Sequence, residues 1–126
     1  MVTLVILLGG VPGGDPRADA TTLLIGLAHY ALVSVTSQEF LYSSFFFWRY
    51  RPLFSPGFLV GFNSVVFALA HLVYGSWVSV LLSFVARMVL ARVYRRYESF
   101  LGVWILHLLL GVTAYAAGLG AYFQRG

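Results

Sequence analysis

A histidine closes a Phe-x-x-x-His stretch, Phe67 to His71, inside an apolar segment that has no other charged or histidine residue. Ionisable side chains within membrane-spanning segments are costly, usually face the interior of a bundle, and often mark a functional site. Two other apolar segments carry partners at a similar depth, namely Glu39, preceded by Gln38, and His107. Three such groups predict a buried polar site, although each could instead be a hydrogen-bonded packing residue.

The chemistry open to these groups is the activation of water for amide hydrolysis. A carboxylate beside a histidine can take the proton of a water molecule, and a second histidine can stabilise the oxyanion that forms. If the site is catalytic, we expect Glu39 to be the base, His71 its partner at the water, and His107 the oxyanion stabiliser. Phe67 would shape the pocket one helical turn from His71, and Asn63 shares their helix face.

Arg87 supports a structural interpretation of the same carboxylate. It lies in the middle of a third apolar segment and needs an anionic partner, and Glu39 is the only acidic residue at membrane depth. A Glu39–Arg87 ion pair would keep the carboxylate ionised and make it a poor base. Because adjacent side chains on a helix diverge by about 100°, the sequence leaves open whether Gln38 or Glu39 faces a cavity.

Composition sets the fold class. Hydrophobic residues make up 60% of the 126 residues and charged residues only 10%, and runs of about 20 apolar residues are long enough to span a bilayer. We predict an all-α integral membrane protein with about four transmembrane helices, at 19–48, 57–74, 77–95 and 99–123. They would form one domain, 19–126, after a short apolar segment and loop at 1–18.

The charges predict the orientation of this bundle. All eight basic residues are arginines, and five of them fall on one side of the four-helix arrangement: Arg49, Arg51, Arg92, Arg95 and Arg96. The positive-inside rule makes these loops cytoplasmic and places both termini outside, as in a protein of the cell (inner) membrane. Arginines at helix ends form no exposed basic face, so nucleic acid is not an expected partner. The chain has no cysteine, which excludes disulfides, thiolate catalysis and Cys-ligated metals.

Three short motifs, in order along the chain, resemble one family. The stretch Gln38 to Ser43, QEFLYS, resembles the Glu-Glu-x-x-x-Arg motif of the CAAX-protease and bacteriocin-processing family of intramembrane proteases. The stretch Phe67 to His71 is similar to that family's Phe-x-x-x-His, and Tyr97 to His107 to the segment entering its His-x-x-x-Asn motif. The resemblance implies a helical bundle with a water-filled site, open to the cytosolic leaflet, in which a Glu and a His cut a peptide near its C-terminal end without an obligatory metal.

The sequence departs from this family pattern at three positions. The first Glu of the family, usually assigned as the base, falls on Gln38; its Arg falls on Ser43; and its Asn falls on Gly111. Glutamine cannot accept a proton as a base, and glycine offers no side-chain donor to an oxyanion.

Three functions follow as hypotheses. We favour a non-catalytic relative, a pseudoenzyme that acts as a binding or assembly subunit of a larger membrane complex, with lipid and other membrane subunits as its partners. The alternative is an active intramembrane glutamic endopeptidase with a peptide substrate, which uses Glu39, His71 and His107. The third is a subunit in which His29, His71 or His107 binds haem or a chlorophyll-type pigment. We otherwise expect no cofactor, and no metal, since the chain lacks both a Cys ligand and a His-Glu-x-x-His pair.

Overall fold

The computed structural model describes residues 19–123, and every regular element in that part of the chain is helical. The elements are α1 (Ala20–Tyr50), α2 (Pro56–Tyr74), α3 (Trp77–Tyr97) and α4 (Phe100–Ala116), followed by a short 3₁₀ turn at Leu119–Phe123. Helices α1, α2 and α3 are each long and apolar enough to cross a membrane, which confirms the predicted all-α membrane class. The predicted N-terminal segment, 1–18, lies outside the described residues.

Local chemistry sets where the helices begin. The Asp19 carboxylate accepts a hydrogen bond of 2.8 Å from a backbone N–H in the first turn of α1, and the Ser76 and Ser99 hydroxyls accept equivalent bonds at the starts of α3 and α4. Such N-caps satisfy amide groups that have no partner within the helix. Between α2 and α3, Gly75 adopts φ +66°, a left-handed conformation that glycine reaches without steric cost.

Helix α1 is not a uniform α-helix. Two π-helical stretches, Tyr30–Val35 and Phe40–Phe45, flank a single α-helical turn at Thr36–Glu39. A π-helical stretch changes which side chains share a face, and such stretches are frequent at functional sites. Gln38 and Glu39 both lie in the turn between them, and both are buried against different neighbours.

The interior has an apolar end and a polar middle. Near the arginine-rich loops, α1, α2 and α3 share a core cluster of Phe46, Phe47, Leu59, Val60 and Ala91. An exposed ion pair between Arg51 and Glu98 joins the α1–α2 connection to the end of α3 at the same side. Helix α4 attaches to α1 through a hydrogen bond of 2.9 Å that Trp104 Nε1 donates to Thr36 Oγ1.

Helix α4 is shorter than predicted. It ends at Ala116 and is followed by the turn at Leu119–Phe123, whereas a helix over 99–123 was expected. The α-helix cannot continue through Gly118, which adopts φ +81°, outside the right-handed helical region. Three described helices therefore have the length of a membrane span, and α4 is a shorter apolar helix beside them. The orientation of the bundle in a membrane stays a prediction.

Candidate functional site

A buried ion pair lies at the centre of the polar middle. Arg87 Nη1 on α3 lies 2.8 Å from Glu39 Oε1 on α1, and both side chains are 0% exposed. The predicted Glu39–Arg87 pair is therefore confirmed. Two charges so far from water are stable only when they neutralise each other and when their remaining polar atoms find partners.

The guanidinium of Arg87 meets that condition with every nitrogen. Its Nε donates to Asn63 Oδ1 at 2.7 Å, and its Nη2 donates to Ser43 Oγ at 2.6 Å. Asn63 in turn donates from Nδ2 to the Tyr42 carbonyl at 2.7 Å, so its amide is held with the oxygen towards the arginine. The network thus connects α1, α2 and α3 through one cation.

The network also supplies the arginine that the family motif places at residue 43. Ser43 stands at that position, and its hydroxyl accepts from Arg87 while donating to Glu39 Oε2 at 2.5 Å. A positive charge therefore lies beside Glu39 in this chain too. It reaches Glu39 from α3 instead of from the next turn of α1.

Glu39 pairs with one of the two predicted histidines. His107 Nδ1 lies 2.6 Å from Glu39 Oε1, and since the ionised carboxylate can only accept, His107 Nδ1 carries the hydrogen. The hydrogen bonds of the described residues thus join Glu39 to His107, whereas the predicted partner at the water was His71. A carboxylate that holds an imidazole by Nδ1 fixes its tautomer and its orientation, and leaves Nε2 for another partner.

His71 is oriented by the backbone. Its Nδ1 lies 2.8 Å from the Phe67 carbonyl oxygen, one helical turn earlier. Because a carbonyl only accepts, Nδ1 carries the hydrogen, and in the neutral ring the lone pair lies on Nε2. Phe67 lies against both histidines, with ring centroids 4.7 Å from His71 and 6.1 Å from His107. The four-residue spacing thus lets Phe67 hold His71 twice, through its carbonyl oxygen and through its ring.

A cavity of about 360 Å³ lies beside the network. Its lining is mostly apolar and comes from all four helices and the turn at Leu119–Phe123. Its polar lining residues include Tyr30, Gln38, His71, Ser83 and His107. Glu39 is not among the residues that line it, so Gln38 faces the cavity and Glu39 faces the ion pair. Gln38 Nε2 also donates to Ser34 Oγ at 3.1 Å.

The remaining predicted residues fall outside this lining. Asn63 belongs to the ionic network. His29, a candidate ligand for haem or a pigment, does not line the cavity, so His71 and His107 are the two histidines there. Among residues 19–123, no group of three or more His, Cys, Asp or Glu side chains is arranged to hold a metal ion.

Tyr30 is a residue of the site that was not predicted from the sequence. It is 5% exposed, lines the cavity, and lies against Gly111 on α4. The available signal was its position eight residues before Gln38, which places both on one side of α1. The absence of a side chain at Gly111 was noted, but what fills that space depends on how α1 packs against α4.

Comparison with known proteins gives one match. A family model described as Rce1-like, type II CAAX prenyl endopeptidase, matches residues 20–113. These residues include the whole ionic network and both histidines of the cavity. No curated protein and no solved structure matches the chain.

Proposed function

We propose that this protein, which belongs to the Rce1-like family of type II CAAX prenyl endopeptidases, is a non-catalytic member that binds a ligand within the membrane as a subunit of a membrane complex. The observation that carries this proposal is the identity of the residue at the cavity wall. Gln38, at the position of the family's usual base, lines the cavity, while Glu39 does not.

Gln38 cannot perform the first step of the family's reaction. General-base catalysis needs a group that takes a proton from water near neutral pH, and a carboxamide oxygen accepts hydrogen bonds without taking up the proton. Gln38 can still bind a polar group of a ligand. The substitution therefore separates binding from hydrolysis.

Glu39 is held in a way that makes it unsuitable as a replacement base. Its Oε1 accepts from Arg87 and His107, and its Oε2 accepts from Ser43. Protonation would remove the negative charge beside a fully buried guanidinium, and an unpaired buried charge costs about 3–5 kcal/mol. The carboxylate is therefore best described as a structural anion that holds Arg87 and orients His107.

What the chain retains is a binding site. A mostly apolar cavity with a few polar groups on one wall is typical of sites for small molecules and lipid-like groups, which measure about 300–1,000 Å³. The cavity of about 360 Å³ has this composition. We take its ligand to be an apolar chain that ends in a polar group, such as the prenylated C-terminus of a peptide.

The outer surface offers room for contacts with other membrane subunits. Large apolar side chains remain exposed on every helix, among them Phe40, Trp48, Leu69, Leu81 and Leu101. Helix α4 is short and rich in small residues in its second half, and small residues allow helices to approach closely in membranes. In a monomer, lipid would cover this surface instead. The native mass of the extracted protein therefore distinguishes a subunit of a complex from a monomer.

The test uses the full chain extracted in a mild detergent. We expect a native mass well above that of the protein in its micelle, and no cleavage of a prenylated peptide that ends in a CAAX sequence. A monomer that cleaves this peptide, with the cleavage abolished in His71→Ala, would overturn the proposal. The same elution peak, scanned from 350 to about 900 nm for haem and pigment bands, tests the third hypothesis.

A second candidate function rests on the geometry of the two histidines. His71 offers its Nε2 lone pair at the cavity, and His107 is oriented there by Glu39. In an endopeptidase built on these groups, His71 would take the proton of the attacking water and deliver it to the leaving amine as the C–N bond breaks. His107, which Glu39 holds by Nδ1, would lie beside the developing oxyanion. The cleavage assay above decides between the two candidates.

A further inference from the structure

We infer that the Tyr30 hydroxyl is the hydrogen-bond donor that binds the carbonyl or carboxylate oxygen of the cavity's ligand. This hydroxyl occupies the space that a side chain at residue 111 would otherwise fill. The inference rests on the proposed function, because it requires a ligand in the cavity. It adds a binding residue and a chemical class of ligand group.

The contact between Tyr30 and Gly111 defines the place. A Cβ atom built on Gly111 would lie 2.0 Å from the Tyr30 hydroxyl oxygen, 2.8 Å from Cζ and 3.0 Å from Cε1. These distances are far inside van der Waals contact, so any side chain at 111 and the present position of the tyrosine exclude each other. The phenol of α1 therefore fills the space that opens because α4 has glycine here.

The Tyr30 hydroxyl lies where a ligand in the cavity can reach it. Tyr30 is the first residue of the π-helical stretch Tyr30–Val35, and it is 5% exposed. A buried tyrosine hydroxyl normally needs a hydrogen-bonding partner, and this one lies on a cavity wall shared with Gln38, His71 and His107. A bound ligand would supply such a partner.

The chemistry of the wall indicates which ligand group fits. A neutral phenol donates one hydrogen bond, so the group against Tyr30 is an acceptor, either a carbonyl or a carboxylate oxygen. His71 offers the Nε2 lone pair of its neutral ring on the same cavity, which suits an N–H donor. An amide offers both an acceptor for Tyr30 and a donor for His71, whereas a carboxylate offers acceptors only.

The test compares two probes with the full chain in detergent. One is a farnesylated tetrapeptide of the CAAX type with a fluorescent label, and the other is a farnesyl ether of similar size without a carbonyl group. Tyr30→Phe removes only the hydroxyl, so the ring still fills the space beside Gly111. We expect it to weaken binding of the peptide about threefold to tenfold, the range of one neutral hydrogen bond, and to leave the ether unchanged.

Two further variants control the result. Tyr94→Phe removes a hydroxyl near the core cluster, away from the cavity lining, and should bind both probes like the wild type. Tyr30→Ala combined with Gly111→Asn moves an amide donor onto α4, and we expect it to bind the peptide more tightly than Tyr30→Ala alone. Melting temperatures of all variants exclude unfolding as the cause of a lost signal.

The outcomes separate this inference from the proposed function. Equal peptide affinity of Tyr30→Phe and the wild type overturns the inference and leaves the proposed function standing. Cleavage of the peptide by the wild type overturns the proposed function, and the role of Tyr30 is then judged by the fall of kcat/KM in Tyr30→Phe. A wild type that binds neither probe overturns both.

Discussion

The ion pair between Glu39 and Arg87 leads to a quantitative prediction about stability. Both side chains are 0% exposed, so removing one charge leaves the other without compensation in a medium of low dielectric constant. In Glu39→Gln, Arg87 keeps only neutral acceptors, namely Asn63, Ser43 and the introduced carboxamide oxygen. We expect this variant to lose about 3 kcal/mol of unfolding free energy, near the lower end of the range for a broken buried pair.

The double variant should lose less than its two single variants predict. Arg87→Met leaves the Glu39 carboxylate with hydrogen bonds from the His107 imidazole and the Ser43 hydroxyl, and we expect a smaller loss of about 2 kcal/mol, because these two donors still stabilise the buried charge. With both charges gone, the remaining cost is the unmet hydrogen-bonding capacity of Asn63 and Ser43, about 1 kcal/mol each. The coupling energy of the cycle is then about 3 kcal/mol.

The assay is reversible unfolding of the four proteins in one detergent, with matched protein-to-detergent ratios. The control cycle uses Arg51→Met and Glu98→Gln, because that ion pair is more than half exposed and should couple by less than about 1 kcal/mol. If the double variant at positions 39 and 87 loses the sum of the two single losses, the buried pair does not hold the site together and the reasoning fails.

Two further predictions concern residues around this pair. Ser43→Arg alone adds a second guanidinium beside one carboxylate and should lower the melting temperature. Ser43→Arg with Arg87→Ser restores a single positive charge and should recover most of the loss. Equal melting temperatures for the two variants would contradict the idea that an arginine at position 43 and one at position 87 can serve Glu39 equally well. At the start of α1, the hydrogen bonds from Thr22 hold the pKa of the Asp19 carboxyl below its ordinary value of 3.8. The cap therefore stabilises the helix above that value and loses its effect as the pH falls through the lowered pKa. Unfolding measured between pH 7 and pH 3 should show this loss in the wild type but not in Asp19→Asn, and parallel curves would exclude it.

The features predictable from the sequence were those in which a buried group has only one possible partner or environment. An arginine in the middle of an apolar segment must find an acid, and Glu39 was the only one at that depth, so the Glu39–Arg87 pair followed from the cost of a buried charge. Helix class and the positions of α1 to α3 followed from the lengths of the apolar runs. In both cases, the cost of leaving a charge unpaired or an apolar segment in water is larger than the energies of the local preferences that oppose it.

The features that the sequence did not determine depend on local irregularities of the helices. Counting with 3.6 residues per turn cannot decide whether Gln38 or Glu39 faces the cavity when π-helical stretches lie on both sides of them. The partner of Glu39 was predicted as His71, but the tilt and packing of α4 bring His107 to it. Tyr30 was missed for the same reason, because only the packing of α1 on α4 places its hydroxyl against Gly111.

We propose that this protein does not cleave peptides because residue 38 is a glutamine, and the most direct test is to restore a carboxylate there. Gln38→Glu places a carboxylate on the cavity wall that His71 also lines, and it leaves the residues of the Glu39–Arg87 pair in the chain. Initial rates of cleavage of a prenylated CAAX peptide should be at background for the wild type and measurable for Gln38→Glu, with the gain lost again in Gln38→Glu combined with His71→Ala. A Gln38→Glu variant that stays at background, or a wild type that cleaves as fast as Gln38→Glu, would contradict this explanation.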